Sequence, residues 1–345
     1  MTTSTTMPTP PATAPTIPRA RRDWTPLALA PLLAVIGWIV IGNPSTWLTL
    51  TIAGLAMGMI IFVVSSGLTL VFGLMDVLNF GHGAFIALGA YVAASVLLPM
   101  AGWVEAQSLA LNLAVFGLAM LAAMAAAGAV GLVFERVLIR PVYGQHLKQI
   151  LITMGGMIIA EQLIKAIWGA ETIALTLPST FRGAVLLGDA AVEKYRLIAV
   201  VLGLVIFAAM LLVLNRTRIG LLVRAGVENR EMVEALGYRV RLLFIGVFMA
   251  GAALAGLGGV LWGLYQQNIT ASLGAQLNGL IFIVIIIGGL GSTTGCFIGA
   301  LLVGLMANYT GFLFPKVALF SNILLMMAVL LWRPQGLYPV ARRQG

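Results

Sequence analysis

The sequence predicts an all-α polytopic membrane protein, and two observations support that fold class. Of the 345 residues, 61% are hydrophobic and 9% are charged, whereas a soluble domain carries about 25% charged residues. Long apolar runs recur along the chain and are separated by short polar segments. Each run approaches the roughly 20 residues that cross a bilayer. A polytopic membrane protein is the class that fits both observations.

Ten apolar runs are the predicted membrane segments. They are residues 26–42, 48–73, 83–100, 107–133, 149–169, 197–214, 242–264, 277–290, 295–312 and 318–332. If the chain starts inside and alternates, fifteen of the twenty basic residues fall on one side, and this bias marks the cytoplasm. We therefore expect both termini in the cytoplasm. The count carries a margin of about two, because the segment pairs around residues 79 and 291 are not cleanly separated.

The N-terminal 25 residues differ in composition from the rest of the chain. Residues 1–25 consist mainly of Thr, Pro and Ala, a composition that cannot bury a core and predicts a disordered cytoplasmic tail. Arg21 and Arg22 before an apolar run faintly resemble an export signal, but no convincing cleavage site follows and further spans come after. We interpret the arginines as the flank of the first span, and residues 26–340 as one transmembrane domain.

Several function classes are not indicated by the sequence. The net charge of +9 sits at the ends of apolar runs and forms no continuous basic face, so nucleic-acid binding is not expected. No Gly-x-x-x-x-Gly-Lys-Ser/Thr phosphate loop occurs, and no residues show metal-ligand spacing. With two histidines and one cysteine, Cys296, nucleophilic catalysis has few candidates. We expect neither an enzyme nor a bound cofactor or metal.

Two pairs of spans are interrupted by glycine and polar residues, within Gly67–Tyr91 and within Ile287–Gly304. Broken helices expose backbone groups, which persist in a membrane only beside a cavity or other protein. This pattern predicts a substrate pathway at both interruptions. The candidate pathway residues are Asn79, Phe80, Gly81, His82, Gly83, Gly289, Gly291, Ser292 and Thr293. The alternative is two ordinary cytoplasmic turns with glycine at the helix caps.

Titratable side chains inside the apolar runs are few. Glu161 and Lys165 lie four residues apart on one span, in the favourable order for an ion pair. Charges in a span suggest function, but these approach the outer end, so both interfacial snorkelling and substrate contact stay open. For His82, a buried and hydrogen-bonded role is favoured over a proton relay.

The polar segment 215–241 carries six arginines and three glutamates between two apolar runs. Asn229 is a good helix N-cap and Gly237 fits a left-handed C-cap, which predicts a helix from Asn229 to Leu236. The apolar residues on one face of this helix are Met232, Val233 and Leu236. Such a short helix is marginal in water, so it needs a docking surface, either a partner's groove or its own bundle. The alternative is a solvated loop on the lipid headgroups.

Four stretches occur along the chain in this order: GLTLVFGLMDVLNFGHGAFIALGAY, RTRIGLLVRAGVENREMVEALGYRV, GGLGSTTGCFIGALLVGL and RPQGLYP. Together they resemble the permease subunits of ABC importers of the branched-chain amino acid (hydrophobic amino acid uptake) family. The resemblance spans residues 48 to 340. In the family's Asn-Phe-Ala-His-Gly segment, Gly81 replaces the alanine, and Ala84 stands where an acidic residue is common. These departures leave the substrate open.

The resemblance implies that segment 215–241 couples the chain to an ATPase. ABC permeases carry a cytoplasmic motif of Glu-Ala-Ala, three residues, then Gly, whose spacing this segment matches although both alanines are replaced. The predicted coupling residues are Arg230, Glu231, Met232, Val233, Leu236 and Gly237.

The resemblance also implies partners and a location. Family permeases lie in the bacterial inner membrane and pair with a second, related permease, two cytoplasmic ATPases and a periplasmic binding protein. Substrates across the family include branched-chain amino acids, urea, short amides and some aromatic acids, moved inward by alternating access. The alternative is a secondary transporter or channel that works alone. Its ion or proton machinery would have to come from Asp76, His82, Glu161 and Lys165.

Overall fold

The computed structural model describes residues 25–339, except for residues 219, 223–224 and 226–229, and leaves out the side chains of Arg230, Glu231 and Leu319. The predicted tail and the predicted N-cap Asn229 therefore lie outside the described residues.

The described chain is mostly helical. Its helices are α1 (Leu29–Ile41), α2 (Pro44–Met75), α3 (His82–Leu97), α4 (Ala101–Glu105), α5 (Leu109–Phe134), α6 (His146–Trp168), α7 (Lys194–Arg216), α8 (Arg230–Ala235), α9 (Val240–Gln266), α10 (Leu273–Gly288), α11 (Thr293–Leu313) and α12 (Ala318–Trp332). A 3₁₀ turn precedes α1, and a π turn followed by a 3₁₀ turn extends α5 to Val142. The short strands are β1 (Ile173–Ala174), β2 (Ala184–Leu187), β3 (Ala190–Glu193) and β4 (Asn268–Ile269).

The all-α polytopic prediction is confirmed. Six of the described helices are long and apolar enough to cross a membrane, namely α2, α5 with its extension, α6, α7, α9 and α11. Four shorter apolar helices correspond to α1, α3, α10 and α12. Each of the ten predicted runs overlaps one of these helices.

Helix α2 lies at the centre of the bundle and packs through small residues. Its Gly67 lies against the backbone of Gly251 in α9, and its Gly58 lies against the backbone of Ala300 in α11. Gly256 of α9 in turn contacts Ala127 of α5. Small side chains let helix backbones approach closely, which is the usual way in which helices pack in membranes.

The bundle has two distinct ends. At the end that we call the hairpin end, β2 pairs with β3 and β1 pairs with β4. At the opposite end, the basic end, α2 meets the start of α6, where Asp76 and His146 lie 3.9 Å apart. The described arginines and lysines divide between them as the alternation predicts. The basic end holds Arg136, Arg140, Lys148, Arg216, Arg218, Arg239, Arg241 and Arg333, and the hairpin end holds Lys165, Arg182, Lys194, Arg196 and Lys316.

At the hairpin end, the buried side-chain amide of Asn112 links two segments of the chain. Asn112, at the start of α5, donates to the carbonyl oxygens of Trp103 (2.6 Å) and Ala106 (3.1 Å). Its own Oδ1 accepts from the backbone N–H of Thr180 at 2.8 Å. Two guanidinium nitrogens of Arg182 donate to the two carboxylate oxygens of Glu105, at 3.0 and 2.6 Å. The segment around α4 is thereby tied to the loop that leads into the β-hairpin.

Candidate functional site

The first predicted interruption starts a helix inside the bundle. Helix α2 ends with Asp76 as its cap, in the left-handed region at φ 53°. The chain then turns back, and α3 begins at His82, whose ring Nε2 donates to the carbonyl oxygen of Val64 at 3.0 Å. At a rise of about 1.5 Å per residue, Val64 lies about 16 Å before the end of α2. Helix α3 therefore begins at depth, as expected of an interrupted span, and His82 is buried and hydrogen-bonded as predicted.

Side chains of α6 satisfy the non-helical backbone of this interruption. Gln149 Oε1 accepts from the N–H of Leu78 at 3.3 Å, and Thr153 Oγ1 accepts from the N–H of Phe80 at 3.0 Å. Both α6 side chains are fully buried. Unsatisfied backbone groups at membrane depth cost several kcal/mol (roughly 2–7 for an amide), so these two polar residues explain how the interruption persists.

Helix α10 supports the same backbone from the other side. Asn278 Nδ2 donates to the carbonyl oxygen of Phe80 at 2.7 Å. The rings of Phe80 and Phe282 stack with centroids 4.3 Å apart. Asn79 accepts from the N–H of Gly81 at 3.0 Å and is buried. The interruption is thus enclosed by α6 and α10, where sequence patterning predicted either a pathway or a surface turn.

A second interruption repeats the first in the opposite direction. Helix α9 ends at Gln266, and its cap Gln267 has φ 56°; Asp76 and Gln267 are the two non-glycine residues with positive φ in the described part of the chain. From Asp76 to His82 and from Gln267 to Leu273 the chain advances six positions each (82 − 76 and 273 − 267), and each segment leads into a 16-residue helix. Because α2 ends at the basic end and α9 at the hairpin end, the two units are inverted.

The two short helices meet at their N-termini. His82 N–H bonds to the Asn79 carbonyl and Leu273 N–H bonds to the Thr270 carbonyl, the same turn in both units. The second residue of each helix is glycine, and a Cβ on either Gly83 or Gly274 would overlap the carbonyl oxygen of the other. From this contact α3 runs toward the hairpin end and α10 toward the basic end. Inverted repeats with broken helices that meet at depth are typical of transporter binding sites.

A narrow crevice borders this meeting point. Its volume is about 10 Å³, which is at the lower limit for one water molecule. The residues that line it are Gly83, Ala84 and Ala87 of α3, Met157, Glu161 and Ile164 of α6, and Ala271, Gly274 and Ala275 on or next to α10. Glu161 Oε1 lies 2.7 Å from Lys165 Nζ, which confirms the predicted ion pair.

The second interruption that the sequence predicts, at 289–293, has a different form. It is a tight turn at the basic end, with φ 97° at Gly289 and 80° at Gly291. Ser292 caps α11 by accepting from the Gly295 N–H at 3.1 Å. The N–H of Leu337 bonds to the carbonyl of Ile287 at 2.9 Å, so the C-terminal segment covers the turn. Its geometry is that of a tight turn, which is the alternative that the sequence left open. That this segment belongs to a transport route stays a prediction.

The partner of the first interruption is a segment between the predicted spans 242–264 and 277–290, to which the sequence analysis assigned no role. Residues 266–272 read QQNITAS and separate two predicted spans. Two signals were present in the sequence. The segment is polar, and Gly274 follows Gln267 at the same distance as Gly83 follows Asp76.

The predicted coupling helix is present as α8. The N–H of Tyr238 bonds to the carbonyl of Val233 at 3.2 Å and that of Gly237 to the carbonyl of Glu234 at 2.9 Å. With φ 88° at Gly237, this is a Schellman cap, which confirms the left-handed glycine. Val233 is 1% exposed, so it packs on its own chain instead of facing a partner, whereas Leu236 is 68% exposed.

The exposed apolar surface of α8 also includes Met232, at 53% exposure. The backbone of Arg230 and Glu231 is helical. The sequence placed Val233 on the face that would dock in a partner's groove. This prediction is wrong for Val233, because its side chain is already buried within its own bundle. Met232 and Leu236 remain on that face.

Comparison with known proteins decides the family. The family described as "Branched-chain amino acid transport system / permease component" matches residues 50–331. The chain belongs to this permease family. It is 30% identical over 298 residues to the high-affinity branched-chain amino acid transport system permease protein BraD of Pseudomonas aeruginosa, covering 82% of this chain and 93% of that protein. It is 26% identical over 297 residues to LivH of Escherichia coli K12, covering 82% and 92%.

A partial likeness links this permease to a second kind of family member. Over 141 residues it is 29% identical to a probable branched-chain amino acid transport permease protein LivM of Methanocaldococcus jannaschii, covering 36% of this chain and 41% of that protein. No solved structure matches the chain.

Proposed function

We propose that this permease is the membrane subunit of an ABC importer that moves a small α-amino acid inward by alternating access. The observation that carries the proposal is the inverted pair of interrupted spans, whose short helices meet at Gly83 and Gly274 inside the bundle. Broken helices of this kind form substrate sites at the middle of transporters. Membership of the branched-chain amino acid permease family, and relatives named for high-affinity transport of these amino acids, support the substrate class.

The proposal includes ten membrane segments in the bacterial inner membrane, with both termini in the cytoplasm. Six long and four shorter apolar helices support that number. Helices α3 and α10 are short because each shares its crossing with an extended segment, so neither needs the roughly 20 residues of a complete span. The excess of arginine at the basic end supports its assignment to the cytoplasm.

We assign the transport route to the first interruption and to the turn at the basic end. The residues proposed for the route are Asn79, Phe80, Gly81, His82, Gly83, Gly289, Gly291, Ser292 and Thr293. Gly291 lies against Gly73 of α2, so the turn at 289–292 is packed beside the end of the helix from which the first interruption departs. A shift of α2 would move both segments together.

The proposed partners are a second homologous permease, two cytoplasmic ATPases and a periplasmic binding protein. The likeness to a LivM protein supports a related second permease. ATPase coupling is assigned to α8, with the residues Arg230, Glu231, Met232, Val233, Leu236 and Gly237. Within this set Met232 and Leu236 supply the apolar contact, while Val233 and Gly237 fix the helix on its own bundle.

Uptake by a deletion strain tests the proposed function. A strain that lacks this chain is complemented with the wild type, and inward transport of radiolabelled leucine is measured with valine, urea and acetamide as competitors. We expect the wild type to restore leucine uptake, with competition by valine alone. Competition by urea or acetamide instead would assign a different substrate.

ATP dependence separates the importer from its rival. We expect uptake to stop when the co-purifying ATPase carries an inactivated phosphate-binding loop. Leucine uptake that continues without ATP hydrolysis, and that collapses with the proton gradient, would favour a secondary transporter.

A further inference from the structure

We propose that a basic cavity between the end of α5, the end of α8 and the start of α9 binds the headgroup of an anionic phospholipid. The cavity lies at the basic end and has a volume of about 520 Å³. Its lining includes Arg136, Tyr238, Arg239, Arg241, Leu242 and Ile245. Such a lipid site depends neither on the substrate nor on the ATPase contact that we propose for this permease.

Three arginines supply the positive charge of the cavity. Arg136 lies in the π turn that follows α5, and Arg239 and Arg241 lie at the start of α9. All three are exposed. Within the described residues, none of them forms an ion pair or a hydrogen bond through its side chain. Guanidinium groups donate paired hydrogen bonds to phosphate oxygens, so a lipid phosphate matches the donors that the cavity presents.

Two carboxylates lie nearby, and they do not cancel this charge. Glu234 lines the cavity. Glu135 is buried beside it, and the arginines that act on its charge are Arg241, Arg140 and Arg136. When Arg140 is counted with the three arginines of the cavity, the described side chains place four guanidinium groups against two carboxylates. The excess of positive charge favours an anionic headgroup, because basic pockets at the ends of membrane helices attract such lipids.

The surface that continues from the cavity along both helices is apolar, which favours a lipid over a free anion. On α5, Leu132 and Ala129 precede Arg136 by four and seven residues, so they lie on the same face. On α9, Gly246 follows Leu242 by four residues. Leu242 is 56% exposed, and a Cβ at Gly246 would meet no atom within 4 Å. These two strips offer carbon surface to acyl chains and nothing to a free phosphate.

The two apolar strips adjoin each other because α5 and α9 pack closely. A Cβ at Gly131 of α5 would overlap the side chain of Ala252 of α9, and Gly128 faces Ala253 in the same way at a looser 3.8 Å. Tyr238 lines the cavity and is 48% exposed, and tyrosine is enriched at the headgroup level of a bilayer. The arginines therefore lie at headgroup depth and the strips at acyl-chain depth.

The cavity also includes the cap of α8. Gly237 and Tyr238, whose N–H groups close the Schellman cap, both line it. A headgroup held by Arg136 and Arg241 would therefore connect the end of α5 with the end of α8. The lipid would fix α8 on the bundle in addition to the buried side chain of Val233.

Lipid retention by the purified transporter tests the site. Binding of phosphatidylglycerol and of phosphatidylcholine with the same acyl chains is compared by native mass spectrometry in a neutral detergent. We expect a preference for phosphatidylglycerol, which Arg136→Gln and Arg239→Gln should each weaken about fivefold. The matched control is Arg216→Gln, which removes an exposed arginine at the same end but outside this cavity. The control should keep the wild-type preference.

A second variant distinguishes a lipid from a free anion. Gly246→Phe places a ring over the apolar strip of α9 and leaves every arginine in place. We expect this variant to lose phosphatidylglycerol to the same extent as the arginine variants, with an unchanged thermal midpoint in the absence of lipid. The matched control is Gly311→Phe, at an exposed glycine of α11 where a Cβ also meets nothing within 4 Å. Inorganic phosphate should not raise the midpoint of the wild type.

Three results would overturn the site. The first is equal retention of the two lipids by the wild type, and the second is wild-type retention of phosphatidylglycerol when Arg136→Gln and Arg239→Gln are combined. The third is stabilisation by inorganic phosphate that Gly246→Phe leaves unchanged, which would assign a free anion to the cavity. Loss of co-purified ATPase in the arginine variants, with unchanged lipid retention, would assign the cavity to a protein partner instead.

Discussion

Gly83 and Gly274 carry no side chain because each lies directly against the other's backbone. Neither has a positive φ, so the requirement comes from the close approach of two helix ends and not from backbone conformation. At the scale of single residues, the polar side chains around this contact also differ in the groups that they bond. Gln149 and Thr153 bond the interrupted backbone. Asn278 also bonds it through Nδ2, while its Oδ1 has no partner within the described residues.

A substitution on α10 tests the close approach. We expect Gly274→Ala to lower the thermal unfolding midpoint of the purified permease, because the added methyl group overlaps the Gly83 carbonyl and overpacking costs about 1–3 kcal/mol. Gly279→Ala is the matched control, since a Cβ at Gly279 on the same helix meets nothing within 4 Å. Equal midpoints for the two variants would contradict the contact.

At the scale of elements, the hairpin end and α8 show two ways in which short segments are fixed. The segment around α4 is tied by Asn112 and by the bond of Arg182 to Glu105. Helix α8 is tied by its Schellman cap and by Val233, which the bundle buries. In both cases a short helix that is marginal alone depends on a few specific contacts.

The bond of Arg182 to Glu105 predicts a pH dependence. This bond lowers the pKa of Glu105 below its ordinary value of 4.5, so its stabilising effect is present above that value and is lost as pH falls through the folded pKa. We expect Arg182→Gln to lower the thermal midpoint slightly at pH 7, since the pair is exposed. That difference should close below pH 4.5. A difference that persists at pH 3 would show that Arg182 acts through its other bond, to the Leu177 carbonyl.

The exposed face of α8 predicts a loss of ATPase binding without a loss of stability. Burial of a leucine contributes about 1.5–3 kcal/mol, so Leu236→Asp should weaken ATPase association roughly 10-fold to 150-fold. The control is Leu186→Asp at the hairpin end, where the leucine is 73% exposed, close to the 68% of Leu236. Val233→Ser should instead lower the thermal midpoint. The measurements are co-purification and midpoint, and unchanged ATPase association in Leu236→Asp would remove α8 from the coupling role.

At the scale of the whole molecule, the positions of the helices could be predicted from sequence but the depth at which they begin could not. Apolar runs mark membrane segments because lipid requires them, and all ten runs overlap helices. Hydropathy carries no information on depth, so α10 was predicted as an ordinary span, and only the glycine and polar residues before α3 marked that span as interrupted. Their starting points are set by tertiary contacts of His82 with Val64 and of Gly83 with Gly274. The prediction for Val233 was wrong for a similar reason. The helical spacing of apolar residues identifies an apolar face, but it does not show whether that face packs on its own bundle or on a partner.

The orientation of the whole bundle is the remaining prediction, and it follows from the division of charge. Of the Arg and Lys residues whose side chains are described, eight lie at the basic end and five at the hairpin end, so we expect the basic end to face the cytoplasm. Labelling of intact cells with a membrane-impermeant maleimide tests this, in a Cys296→Ala background although Cys296 is itself buried. We expect Asp189→Cys, in the exposed turn between β2 and β3, to react from outside. Gln145→Cys, exposed at the basic end, should react only after the cells are made permeable. Reaction of position 145 in intact cells would invert the bundle and place α8 outside, where no cytoplasmic ATPase reaches it.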